Sequence, residues 1–208
     1  KGLTPSLKEI YINILKDSPN HFVAACAIYL DFSGISSNQL RIFINQLYKN
    51  SDSLNITSIE QKDKKIKSII DEIIKKAVSY CIATASVEEI EKINILQAAM
   101  LAMKRAISGL SSVPSAALID GNKCPDIENI TVRSVVKGDS KSASIAAASI
   151  LAKVARDRYM KQMALEYPQY GFEKHKGYGT KLHYEMIEKY GICKIHRPSF
   201  LKNISYDK

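Results

Sequence analysis

Three short stretches of this chain carry carboxylate, cationic or aromatic side chains in settings where they could do chemistry. The run Ala117-Leu118-Ile119-Asp120-Gly121-Asn122 is apolar until it closes on a carboxylate and a glycine turn. Asp139 sits in the polar loop Lys137-Gly138-Asp139-Ser140-Lys141. Tyr178 lies between two glycines in His175-Lys176-Gly177-Tyr178-Gly179-Thr180. A carboxylate just ahead of a helix is either a cap for free backbone N–H groups or a metal ligand held at the edge of a rigid element. By residue type alone, Asp139 reads first as a cap or solvated loop residue, Asp120 as a turn aspartate and Tyr178 as packing. His175, His183 and His196 are scattered along the sequence, and none is assigned to general-base work.

These groups need elements to position them. Residues 135–159 read as a loop followed by a long helix from Ser140, with Ser140 or Ser142 as its N-cap, because a hydroxyl satisfies a free N–H. Ile145, Ala148, Ser149, Ala152 and Val154 leave a face with little bulk, which lets another element approach closely. Asp120 needs a strand to end, and residues 116–119 supply one; 124–129 form a loop and 130–136 a further strand. Upstream, Ile66, Ile69, Ile70, Ile73, Ile74 and Ala77 recur at the helical period within 58–80. A short apolar strand follows at 81–85. Ser86-Val87-Glu88-Glu89 is a capping box, leading to a helix over 95–110. Near the start, 10–15 and 21–30 read as strands joined by a turn, and 39–48 as a helix. Residues 167–180 form a Gly- and aromatic-rich loop, and 182–190 a short helix before a basic tail. Strands and helices alternate after an initial strand pair, which predicts a mixed α/β sheet with helices packed on it.

The totals narrow the field. At 208 residues and 23.2 kDa the chain is one domain, or one with a small appendage. Its 46% hydrophobic content suffices for a buried core, and no apolar run reaches the length of a membrane helix. The N-terminus lacks the apolar region and cleavage site of a secretory signal. Cys26, Cys81, Cys124 and Cys193 show neither CxxC nor zinc spacing, so reduced thiols in the cytoplasm are expected. A net charge of +9 suits a polyanionic partner such as nucleic acid. Much of the excess falls in the C-terminal half, in Lys104, Arg105, Lys137, Lys141, Lys174, Lys176, Lys181, Lys194 and Arg197, beside the candidate groups.

The three stretches sit within a longer likeness. SVEEIEKINILQAAMLAMKRA, LIDGN, VVKGDSKSASIAAASILAKVARDRYM, YPQYGFEKHKGYGTKLHYE and IHRPSF occur in order over residues 86–200. Together they resemble bacterial ribonuclease HII, the type 2 ribonuclease H that cuts RNA in RNA/DNA hybrids. The resemblance implies an α/β, ribonuclease H-like mixed sheet with flanking helices in residues 1–160. It also implies a small helical C-terminal region, 161–208, that helps cover the substrate. The implied activity is metal-dependent endoribonucleolytic cleavage of the RNA strand of hybrids and of ribonucleotides embedded in DNA. The implied cofactor is Mg²⁺ or Mn²⁺ and the partner a hybrid duplex, with no membrane, for a cytoplasmic monomer.

Phosphodiester hydrolysis needs a nucleophilic water and a stabilised leaving oxygen, and two divalent ions supply both. Such ions prefer oxygen ligands. The resemblance makes Asp120 and Asp139 two of four metal-binding, catalytic carboxylates. It has Tyr178 stack on sugar at the RNA-to-DNA junction, where contact with a 2′-hydroxyl tells RNA from DNA. Lys141, Lys176, Thr180 and Arg197 become phosphate contacts, which position a duplex without reading its sequence.

The likeness departs from the family near the N-terminus. The family's first strand ends in Asp-Glu, the other two ligands, and a Gly-Arg-Gly that grips the ribonucleotide follows. Counting back without gaps from 22–30, which matches the second strand, Ile12 and Asn13 stand at the Asp-Glu positions. Leu15, Lys16 and Asp17 stand at those of Gly-Arg-Gly. A further family motif, Asp-Ser-Lys-Lys-Leu, has Asp52-Ser53-Leu54-Asn55-Ile56 as its nearest counterpart. An uncharged Asn13 amide cannot replace a carboxylate beside two dications. Three readings fit: a catalytically impaired homologue that binds nucleic acid, a displaced ligand such as Asp17, or a segment upstream of His21 outside the native reading frame.

Overall fold

A computed structural model describes residues 21–30 and 59–201. The expected strand at 10–15, the helix at 39–48, and Asn13, Asp17 and Asp52 lie outside the described residues. Strand β1, His21–Leu30, falls where its apolar run predicts, and it pairs with β2, Ala77–Ser86.

Helix α1, Ile59–Lys76, buries Ile69, Ile70 and Ile73, the stripe set by their spacing. It stops earlier than its period suggests. Val78, Tyr80, Ile82 and Thr84 alternate, and such β-branched and aromatic residues favour a pleated surface, so 77–80 join β2 instead. The charges of Lys75 and Lys76 suit the negative end of the helix they close.

Ser86 then forms the expected capping box. Its N–H donates to Glu89 Oε2 at 2.8 Å, and the Glu89 N–H donates to Ser86 Oγ at 3.1 Å. This starts α2, Val87–Ser108, eight positions before the expected start at 95. The expected start is nevertheless visible, because the helix breaks at Asn94, with φ 66 and ψ 165. The Asn94 side-chain oxygen accepts from the N–H groups of Leu96 and Gln97 at 3.0 and 3.2 Å and so caps a second segment. Asparagine tolerates positive φ better than most residues. Beyond α2, the Ser111 N–H and hydroxyl each reach Ser79 Oγ at 2.9 Å.

Strands β3, Ala116–Asp120, and β4, Thr131–Val135, run parallel, with Asp120 opposite Val135. A 3-10 turn, Gly138–Ser140, precedes α3, Ala143–Glu166. The helix thus begins after Ser142 and runs past Tyr159, where Met160, Met163 and Ala164 continue its buried surface. The expected loop 167–180 is more ordered than its composition suggests. It holds a 3-10 turn, Pro168–Tyr170, and a one-turn helix α4, Phe172–His175, around the buried rings of Tyr170 and Phe172. Helix α5, Lys181–Tyr190, and a 3-10 turn, Pro198–Phe200, complete the described chain. The elements are mixed helix and strand, as the alternation predicts. Among the described residues no helix is long and apolar enough to cross a membrane.

Contacts divide the chain into two compact units. Of the described residues, one gathers 21–24, 83–102 and 153–201; the other gathers 25–30, 59–82 and 103–152.

Candidate functional site

Both acidic candidates belong to the second unit. Strand β3 delivers Asp120 at its end, and the Gly121 N–H donates to the Val135 carbonyl at 3.1 Å. After β4 the chain reverses through Lys137, at φ 55, into the Gly138–Ser140 turn. The Gly138 N–H donates to Asp120 Oδ1 at 2.7 Å. The Asp120 carboxylate is therefore tied to the residue immediately before Asp139. Glycine is required here for space. A Cβ at Gly138 would lie 2.6 Å from Ile145 Cδ1 and 3.3 Å from Asp120 Oδ1.

The loop around Asp139 is self-supporting. Asp139 Oδ1 accepts from the Ser140 N–H at 2.8 Å, and Ser140 Oγ donates to the Lys137 carbonyl at 2.9 Å. Lys141 Nζ donates to the Val136 carbonyl at 2.8 Å, so this predicted phosphate contact is partly turned back on its own loop. The Ala146 N–H bonds the Ser142 carbonyl at 3.0 Å, which puts Ser142 at the N-cap position of α3. Asp139 stands outside that cap.

A carboxylate offers about four lone-pair sites, so one accepted N–H leaves room for a cation on each side chain. An oxygen-only pair suits a hard dication such as Mg²⁺ or Mn²⁺. Among the described residues no group of three or more His, Cys, Asp or Glu could hold a metal.

Tyr178 belongs to the first unit. Lys176 and Gly177 turn the chain at φ 51 and 76, and Tyr178 is left 54% exposed. A side chain at Gly179 would run into the Tyr184 hydroxyl. Two cations of α3 lie against the ring, Lys153 Nζ at 5.1 Å and Arg156 Cζ at 4.8 Å from its centroid. Lys153 Nζ also donates to Asp157 Oδ1 at 2.7 Å and reaches the Tyr178 hydroxyl at 3.3 Å. The ring's electron-rich face attracts these charges.

Behind this loop the three histidines, scattered along the sequence, meet in space. The rings of His175 and His183 stack 4.3 Å apart, and His183 Nε2 lies 3.0 Å from His196 Nε2. Folding joins residues from α4, α5 and the following turn, which no local pattern reveals. Burial depresses the affinity of His183 and His196 for protons, bringing each to about 4, and the neighbouring imidazoles add to the effect. Burial also pushes the Cys193 thiol up to about 11; its sulfur lies 3.1 Å from His196 Nδ1.

The other expected phosphate contacts are also engaged within the first unit. Thr180 Oγ1 accepts from the His183 N–H at 3.3 Å and caps α5. Lys176 Nζ donates to the Glu173 carbonyl. The half-buried Arg197 guanidinium lies 3.8 Å from the centre of the Phe200 ring. Lys153, Arg156 and His183 are the neighbours of Tyr178 that sequence reasoning missed. The Lys153–Asp157 spacing on a helix was the available signal for the first.

A family model described as Ribonuclease HII matches residues 32–203. The ribonuclease HII of Caldicellulosiruptor bescii is 52% identical over 141 residues, which cover 68% of each chain. That of Neisseria meningitidis serogroup B is 51% identical over 150 residues, 72% of this chain and 77% of the relative. Among solved structures, ribonuclease H2 from Pyrococcus horikoshii OT3 aligns with a TM-score of 0.58 at 22% identity, covering 85% of this chain and 92% of that one. The RNase HII in the PCNA complex from Archaeoglobus fulgidus aligns at 0.54 with 18% identity, covering 88% and 96%. At such identities these two structures speak for the fold alone.

Proposed function

We propose that this chain, which belongs to the ribonuclease HII family, is a divalent-metal-dependent endoribonuclease that cleaves the RNA strand of RNA/DNA hybrids and ribonucleotides embedded in DNA. The observation that carries the site assignment is the Gly138–Asp120 hydrogen bond, which brings one carboxylate to the residue beside the other. Asp120 and Asp139 would hold Mg²⁺ or Mn²⁺. When bound, these ions supply a nucleophilic water and stabilise the leaving oxygen. Asp120 and Asp139 contribute the negative charge that compensates the cations, and the Gly138 N–H and Ser140 N–H fix the planes of the two carboxylates.

Tyr178 stacks on the sugar at the RNA-to-DNA junction, a role supported by its exposed ring and by flanking glycines that let a strand approach the backbone. Lys153 and Arg156 offer positive charge beside it, and Lys141, Lys176, Thr180 and Arg197 contact phosphates. The chain acts as a monomer on hybrid duplex in a reducing compartment, which suits the free thiols of Cys81, Cys124 and Cys193.

The test is a duplex with one embedded ribonucleotide, incubated with Mg²⁺ or Mn²⁺. Metal-dependent cleavage at the ribonucleotide is expected. Asp139→Asn should lower its rate by about a hundredfold or more, since even outer-layer ligand partners are worth 10–100-fold. A second reading, a nucleic-acid-binding homologue with impaired catalysis, draws on Asn13 at a family carboxylate position. It requires salt-sensitive hybrid binding with no metal-dependent cut at micromolar protein.

A further inference from the structure

We infer that His183 and His196 are positioning residues that hold the Tyr178 backbone through a one-way relay of hydrogen bonds between neutral imidazoles. The inference rests on the reading that Tyr178 contacts the substrate. Tyr178 follows one glycine and precedes another, and such flanks leave a backbone loose unless something fixes it. The neighbouring cations are long side chains that hold only the ring.

The backbone is fixed from behind, and the proton count settles the direction of every bond. The Cys193 N–H donates to His196 Nδ1 at 2.9 Å, so Nδ1 is an acceptor and the His196 proton sits on Nε2. His196 Nε2–H therefore donates to His183 Nε2 at 3.0 Å. His183 Nε2 accepts, which leaves its proton on Nδ1, and Nδ1–H donates to the Tyr178 carbonyl at 3.0 Å. His175 supports the other side of the turn. Its Nδ1 accepts from the Gly177 N–H at 3.1 Å, so its Nε2–H donates to the Tyr170 carbonyl at 2.8 Å. The His175 carbonyl accepts the Tyr178 N–H at 2.9 Å. One arrangement of protons thus satisfies every nitrogen of the three rings. Both rings of the relay are 6% exposed, so water does not compete freely for these bonds.

The relay makes a spectroscopic prediction that a space-filling role does not. Two-bond ¹⁵N–¹H spectra of the wild-type imidazoles at neutral pH should show His183 as the Nδ1–H tautomer and His175 and His196 as Nε2–H. Any other assignment for His183 or His196 overturns the inference without a variant having to fold. The functional arm uses binding to duplexes with and without one embedded ribonucleotide. His183→Leu keeps apolar volume but loses the donor; His183→Asn places an amide N–H near the position of Nδ1. Losing one buried hydrogen bond should reduce the preference for the ribonucleotide duplex about tenfold in His183→Leu, and His183→Asn should restore most of it. Equal loss in both variants refutes the relay.

Tyr178→Ala separates the two ideas. If it leaves that preference intact, the role of Tyr178 falls, and the inference with it. If it abolishes the preference while His183→Leu leaves it unchanged, Tyr178 keeps its role and the relay is refuted.

Discussion

Mild acid should loosen the first unit, because the histidine relay works only with neutral rings. Above about pH 6.5 both rings are neutral whether the chain is folded or not. Between 6.5 and about 4 the unfolded chain takes up protons that folded His183 and His196 refuse. Their contribution is therefore complete above the unfolded value and is lost as the pH falls through this window. At pH 5, about 1.5 pH units below the ordinary value, each ring costs ~2 kcal/mol at about 1.36 kcal/mol per unit. The rings share one bond, so their losses are not additive, which brings the sum for both to about 2–3 kcal/mol. For a chain of this length that lowers Tm by roughly 4–12 °C.

Urea unfolding followed by circular dichroism at pH 7.5 and pH 5 measures the change, with hydrogen exchange at the Thr180 and Gly177 amides as the local probe. His196→Gln removes one titrating ring and should remove about half of the pH dependence. If the wild type is as stable at pH 5 as at pH 7.5, the rings are not held neutral. If His196→Gln keeps the full pH slope, the acid sensitivity lies elsewhere.

Three further outcomes follow from the same geometry. Gly138→Ala must push Ile145 aside and crowd Asp120; it should cost about 1–3 kcal/mol in urea titration and lower cleavage at least tenfold, whereas full activity would show that the Gly138–Asp120 bond does not set the site. Ser86→Ala breaks the capping box ahead of α2 and should cost about 1 kcal/mol, with an unchanged urea midpoint counting against the cap. Lys153→Ala removes a charge beside Tyr178; it should weaken duplex binding at low salt and reduce the slope of log affinity against log salt by about one, and an unchanged slope would show that this charge does not act on the duplex.

What the sequence made legible were features that act over a few residues. The Ser86–Glu89 box, the β1 run and the α1 stripe are local patterns, and each is found as the pattern predicts. Asp120 and Asp139 were legible as residue types at the end of a strand and ahead of a helix. That they belong to one site was expected only from the family resemblance; no local pattern shows the tie of Asp120 to the loop of Asp139, because it is a hydrogen bond across 18 positions beside a glycine admitted for space rather than for a turn. The histidine cluster was illegible for a similar reason. Its central bond spans 13 positions between segments that period and capping rules treat separately. Helix ends were misread where buried side chains overrode the local signal, as at Met160 and Met163, which carry α3 onward.

The glycine that follows α2 has a consequence for how this protein can change. A Cβ at Gly109 would fall 2.5 Å from the sulfur of Cys81, so these two positions share one allotment of volume. Bulk can pass from strand to helix end, yet it cannot be added at position 109 while the sulfur stays where it is. An alanine at 109 therefore requires residue 81 to be smaller or its side chain to swing away, so what one position tolerates depends on the other.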